Sequence, residues 1–183
     1  MSFSRLYRVE AIVLKRRNIG EADRLVTLFS KERGKVTAMA KGIRRITSKR
    51  APHLEVFSRI VLMIHKGKRF DTITEVAPLD TFSTLRKYLP RVSVAYVLCE
   101  LIDVLLPEHQ EHRDVYQQIF DALLSLDTSH PSKTFLADFS RDLLMSLGFL
   151  SFSKVLTEDG LIAYIEQLTE RRLKTKRLLH QLE

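Results

Sequence analysis

Five short runs of alternating apolar and polar residues fill the first 76 positions, and no helical period interrupts them. They span 7–15, 24–30, 35–41, 57–65 and 69–76. A period of two puts alternate side chains on opposite faces, so each run reads as a strand with one buried face. The breakers between them are Arg16-Arg17-Asn18-Ile19-Gly20, Glu32-Arg33-Gly34, a longer loop 42–52 ending in Ala51-Pro52, and a Lys66-Gly67-Lys68 hairpin turn. An open five-stranded sheet would leave two exposed edges, whereas a closed barrel leaves none. On strand count alone, an OB-fold and an SH3-like barrel fit equally well.

Near Pro78 the period changes. Residues 83–106 carry Leu85, Leu89, Val92, Tyr96, Cys99, Ile102 and Leu106 at helical spacing, with Pro90 expected to kink or split the run. Residues 111–126 repeat the pattern, as do 133–147, where Gly148 is placed to stop the helix. A last helix is expected over 158–180. Its second half is cationic, with Arg171, Arg172, Lys174, Lys176 and Arg177, which suits a helix C-terminus. The expected class is α+β: a five-stranded barrel over 1–80, then a helical bundle over 81–183.

The net charge of +8 is unevenly distributed. Residues 1–80 hold 18 Lys and Arg against 8 Asp and Glu, and residues 81–183 hold 12 against 14. Such asymmetry points to a nucleic acid or another anionic partner for the first half. The densest stretch is 31–50, with eight Lys and Arg and one carboxylate, Glu32. Val36, Ala38 and Ala40 are expected on one face of the third strand, and Lys35, Thr37, Met39 and Lys41 on the other. Gly42 then opens a flexible loop with Arg44, Arg45, Lys49 and Arg50.

Lys35, Lys41, Arg44, Arg45, Lys49 and Arg50 are the leading candidates to meet phosphates, Arg adding bidentate hydrogen bonds. Arg16 and Arg17, at the exit of the first strand, join them. Arg24 fits a local pair with Glu21 or Asp23 as well as a phosphate contact. Phosphate contacts carry no sequence information. Phe29, Phe57 and Phe70 read as core before stacking platforms, and the chain has no Trp. Electrostatics should therefore outweigh base stacking.

Other chemistries find little support. Cys99 is the one cysteine, so no disulfide and no cysteine zinc site can form within the chain. The turn glycines lie in no phosphate-loop or dinucleotide context. His109 and His112, near Glu108 and Glu111, read as a solvated helix start rather than a metal site. No catalytic constellation is readable, so no enzyme activity, cofactor or metal is expected. No apolar stretch is long enough to span a bilayer, and a cytoplasmic, nucleoid-associated protein is expected.

Residues 7–80 resemble the N-terminal domain of the RecO family of bacterial recombination and repair proteins. The carrying residues are Glu10-Ala11-Ile12-Val13-Leu14, Gly20 to Ser30 (Gly-Glu-Ala-Asp-Arg-Leu-Val-Thr-Leu-Phe-Ser), Gly34 to Gly42 (Gly-Lys-Val-Thr-Ala-Met-Ala-Lys-Gly), then Arg44-Arg45 and Ser48. Tyr96 to Ile102 resembles the family's first long helix, and Leu143, Leu144, Leu147, Gly148 and Phe149 resemble the segment before its zinc site.

The resemblance implies an OB-fold that binds single- and double-stranded DNA, with a helical domain behind it. It implies a non-enzymatic mediator that anneals complementary strands and assists RecA loading. The implied partners are RecR, sometimes RecF, and the acidic C-terminal tail of the single-stranded DNA-binding protein. Such a tail could meet Arg86, Lys87, Arg91, Arg113 or Arg141. Many members carry four cysteines soon after the Gly-Phe segment; the corresponding region here, Gly148 to Asp159, has none. Two other readings of the residues are an RNA-binding OB module and a protein-interaction adaptor that no longer binds DNA.

Overall fold

In a computed structural model, residues 5–46, 48, 50–154 and 156–175 are described. The chain divides into two compact units. One comprises residues up to Thr81 together with Leu106–Arg113; the other comprises Phe82–Leu105 and the chain from Asp114 onward.

The first unit is a closed barrel of strands β1 (Leu6–Ile19), β2 (Asp23–Ser30), β3 (Gly34–Ala40), β4 (Arg59–His65) and β5 (Asp71–Asp80), joined in the order β1-β2-β3-β5-β4. Four of the five pairings are antiparallel. The fifth, between β3 and β5, is parallel and closes the ring at Ala38↔Asp71 and Met39↔Thr72. This is an OB-fold. The alternation read from sequence becomes the inside and outside of the barrel. Val9, Ala11, Val13, Val26, Leu28, Ala38, Ala40, Ile60, Leu62, Ile64 and Ile73 form one core cluster. On β3, Val36, Ala38 and Ala40 are buried and Lys35, Thr37 and Met39 half-exposed, the two faces expected.

The first strand is longer than its sequence suggests. Arg16, Arg17, Asn18 and Ile19 do not turn; they pair with Val26, Leu25, Arg24 and Asp23 of β2. A bulge between Val13 and Lys15 lets β1 bend, and the turn falls at Gly20–Ala22, with Gly20 at φ +55°. Cross-strand pairing outweighs the weak strand preference of these polar residues. At the other end, β5 runs through Pro78, which sits beside a register shift at Arg59/Ile60, a place where a missing N–H is tolerated.

The segment Leu106–Arg113 returns to the barrel. His109 N–H donates to Lys35 O at 2.9 Å, and Thr37 Oγ1 donates to Glu108 Oε1 at 2.7 Å. Gly34, at φ +66°, makes room for it: a Cβ there would lie 1.7 Å from Gln110 O.

The second unit holds α1 (Leu89–Leu105), α2 (Arg113–Thr128), α3 (Phe135–Ser146) and α4 (Glu158–Thr169). Pro90 does not kink the first helix. It lies in its first turn, where a missing N–H costs nothing, and a short 3₁₀ turn at Leu85–Lys87 takes the preceding apolar positions. Helix α1 is buried on several faces, through Val97, Leu98, Cys99, Leu101 and Ile102. Arg91 is buried too. Its guanidinium donates to the carbonyls of Leu126 and Asp127, 3.1 Å each, and covers the Tyr88 ring at 4.6 Å. It thus ends α2 and is not presented to a partner.

The last helix is shorter than expected. Thr157 caps α4 by accepting from Gly160 N–H at 3.2 Å, and Glu170, at φ +53°, ends it. Arg171, Arg172 and Lys174 therefore lie beyond the helix, while Leu173 is buried and the Lys174 and Thr175 N–H groups donate to Glu100, 2.9 Å each. Lys176 and Arg177 lie outside the described residues. Burial, then Asp103, pushes the Cys99 thiol well above its ordinary range, so it is an inert core group.

Candidate nucleic-acid interface

The basic loop after β3 is held at many points. Gly42, at φ +64°, donates its N–H to Asp23 Oδ1 at 2.7 Å. Ile43 inserts into the barrel core, and Leu54 does the same on the far side of the loop. Arg44 N–H bonds Ala22 O at 2.9 Å, and Ser48 N–H bonds Arg45 O at 2.9 Å. Pro52 opens a 3₁₀ turn over Ala51–His53. The flexible loop expected from sequence is thus pinned to the barrel, because its apolar residues are used as anchors.

The candidate cations take up different places on the barrel unit. Lys41, Arg44 and Arg45 are exposed on the loop, with the Arg44 guanidinium also donating to Gly20 O at 3.1 Å. Arg50 turns inward: it donates to Ile73 O at 2.8 Å, to Thr74 O at 3.4 Å and to Lys41 O at 2.8 Å. It straps the loop to β5. Lys35 sits on β3, at the place where Glu108 and His109 pack. Arg17 is exposed on β1, and Arg16, one residue earlier, forms an ion pair with Glu55. Lys49 lies outside the described residues.

Arg24 joins the loop cations although no local carboxylate takes it. Its Nε donates to Asn18 Oδ1 at 3.0 Å, and its Nη1 lies 4.0 Å from Glu55 Oε1. Burial, then Arg16, pushes its guanidinium below its ordinary range; Glu55 opposes this, and Arg44 adds to it. An arginine stays charged under such pressure, so the site is a concentration of positive charge. Arg24, Arg44 and Arg45, with Ile43, Ile46 and Glu55, line an open concavity of about 490 Å³. Glu55 is its one carboxylate and is engaged by Arg16. Sequence spacing carried a signal for Arg24: Val26 and Leu28 face the barrel interior, and period two puts Arg24 on that same face at its mouth.

The three aromatic candidates also separate. Phe29 and Phe57 are buried, the latter at φ +77°. Phe70 is half-exposed beside the β4–β5 hairpin. With Tyr7, Arg33, Lys66, Arg69 and Asp71 it lines a second concavity of about 480 Å³, which sequence spacing does not reveal.

Residues 1–82 match the family model described as the recombination protein O N-terminal domain, and residues 86–151 match the recombination protein O C-terminal domain. The chain belongs to the RecO family. A DNA repair protein RecO from Roseiflexus sp. (strain RS-1) is 35% identical over 145 residues, 79% of this chain and 51% of that protein. One from Symbiobacterium thermophilum is 36% identical over 145 residues, 79% and 57% respectively. One from Heliobacterium modesticaldum is 42% identical over 105 residues, 57% and 38%. The chain thus spans about half the length of the Roseiflexus and Symbiobacterium relatives. The four-cysteine zinc site of many RecO-family members does not fit here: Cys99 is buried, and among the described residues no group of three or more His, Cys, Asp or Glu could hold a metal. Among those residues no helix is long and apolar enough to cross a membrane.

Proposed function

We propose that this chain is a non-enzymatic DNA-binding mediator of recombinational repair. Its barrel binds single- and double-stranded DNA by the phosphate backbone. The supporting observation is the concavity of Arg24, Arg44 and Arg45, whose one carboxylate is already paired. Arginines at the mouth of a pinned loop offer charge-assisted hydrogen bonds without reorganising the backbone. Contacts of this kind are independent of sequence, as a repair mediator requires.

The same surface supports strand annealing, because cations that screen two backbones lower their repulsion while leaving bases free to pair. By the family relationship, the chain would assist RecA loading with RecR, sometimes RecF, recruited through the acidic tail of the single-stranded DNA-binding protein. The test is DNA binding over a salt series alongside annealing of complementary oligomers. Salt-sensitive binding with accelerated annealing is expected. Binding of RNA oligomers in clear preference to DNA of matched sequence would overturn the DNA reading.

A further inference from the structure

The second concavity has a different chemistry from the first. Its walls carry two half-buried aromatic rings, Tyr7 and Phe70, interleaved with cations. Arg33 lies over the Tyr7 ring at 4.3 Å, and Arg69 lies 5.6 Å from the Phe70 ring centre.

The carboxylates in it are internally engaged. Asp71 accepts from the Tyr7 hydroxyl and, at 3.1 Å, from Gly67 N–H. Glu108 accepts from Thr37 at 2.7 Å. Lys66 and Arg69 carry no such ion pair among the described residues, and Lys68 on the same hairpin adds charge. The Tyr7–Asp71 bond and the tight turn at Gly67 fix the walls. A Cβ on Gly67 would lie 1.9 Å from Phe70 O, so the hairpin backbone packs directly on the residue carrying the ring.

We propose that this recess binds an unpaired nucleotide, with Phe70 stacking on the base and Lys66 and Arg69 holding the adjacent phosphate. The proposal rests on the DNA-binding reading above and adds to it a site selective for single strands. A base can reach an aromatic wall only when it is unpaired. Stacking of one base on an aromatic side chain changes affinity by about five- to a hundredfold. The loop concavity and this recess would give the barrel one surface that ignores the bases and one that engages them.

The chain has no Trp, so F70W creates a single fluorescent reporter in the recess. Indole emission is quenched by a stacked base. The titrants are a fluorescein-labelled dT20 and inorganic polyphosphate of matched charge, with fluorescein anisotropy followed in the same samples. Quenching by dT20 that polyphosphate does not reproduce is the expected result. An anisotropy rise without quenching, or equal quenching by polyphosphate, would overturn the recess while leaving phosphate binding by the loop intact. No anisotropy rise at all would overturn both.

A second measurement does not depend on the new indole. In the chain with Phe70 retained, K66A/R69A should weaken dT20 binding about tenfold while changing duplex binding less than threefold. Equal losses on both, or none on either, would overturn the proposal.

Discussion

The loop concavity and the hairpin recess belong to the same barrel unit and have nearly the same volume, yet they are built from opposite materials. The loop concavity is lined by guanidinium groups with no aromatic side chain, and its exposed apolar residue is aliphatic, Ile46. The recess pairs each ring with a cation and occupies its own carboxylates with hydrogen bonds from within. Positive charge alone therefore does not define a site here. Arg50 and Arg45 are five residues apart on one loop; the former is committed to backbone carbonyls and the latter is exposed.

The greatest loss should come at the wall of the recess. Gly34→Ala places a methyl group against Gln110 O and keeps a left-handed φ, so the segment Glu108–Gln110 must leave β3. The chain should lose about 3 kcal/mol of stability in urea unfolding, in line with other backbone clashes. A loss below about 0.5 kcal/mol would mean that this segment is not docked as described.

Next in size is the loop itself. Changing Lys41, Arg44 and Arg45 together to Ala should lower DNA affinity about thirtyfold at low salt, for duplex and single strand alike. Stability should change little, because these side chains are exposed. A loss confined to single strands would break the contrast between the two concavities.

Arg50→Met separates strap from DNA-binding group. It removes three hydrogen bonds to carbonyls and should cost about 2 kcal/mol of stability. In conditions where the variant remains folded, the salt slope of DNA binding should stay within about 0.5 unit of the natural chain, against about 1 unit for each phosphate no longer neutralised. A full unit's change would place Arg50 on the DNA.

The smallest effect concerns Tyr7, whose phenol is pushed up from its ordinary value by burial first and then by Asp71. A raised acid keeps its contribution while the unfolded phenol is also protonated, below about pH 10, and loses it as pH climbs from there toward the folded value. Tyr7→Phe should cost about 1 kcal/mol at pH 8 through the missing hydrogen bond and flatten the fall in stability above pH 10. An identical alkaline profile would contradict the Tyr7–Asp71 bond.

The barrel was legible because period-two alternation maps directly onto inside and outside, as Val36, Ala38 and Ala40 illustrate. The OB topology was legible only through the resemblance to the RecO family, since the parallel Ala38↔Asp71 pairing joins residues far apart in sequence. The loop cations were readable as residues but not as roles. Arg50's partners include carbonyls of β5, and Arg16's carboxylate, Glu55, is 39 positions away. Arg24's place in the site followed from strand parity but competed with two adjacent carboxylates. The recess escaped notice because Tyr7, Phe70 and Glu108 meet only once the chain is folded. The end of α4 was not legible, because the left-handed φ at Glu170 stops the helix and Leu173 reaches the core beyond it.

The most direct test is the salt dependence of DNA binding by the natural chain and by K41A/R44A/R45A, with circular dichroism confirming both folds. If the loop meets phosphates, log affinity falls linearly with log salt, and the slope in the variant is shallower by about one unit for each phosphate it no longer neutralises. Unchanged affinity and slope in a folded variant would contradict the assignment of this loop as the DNA-binding surface.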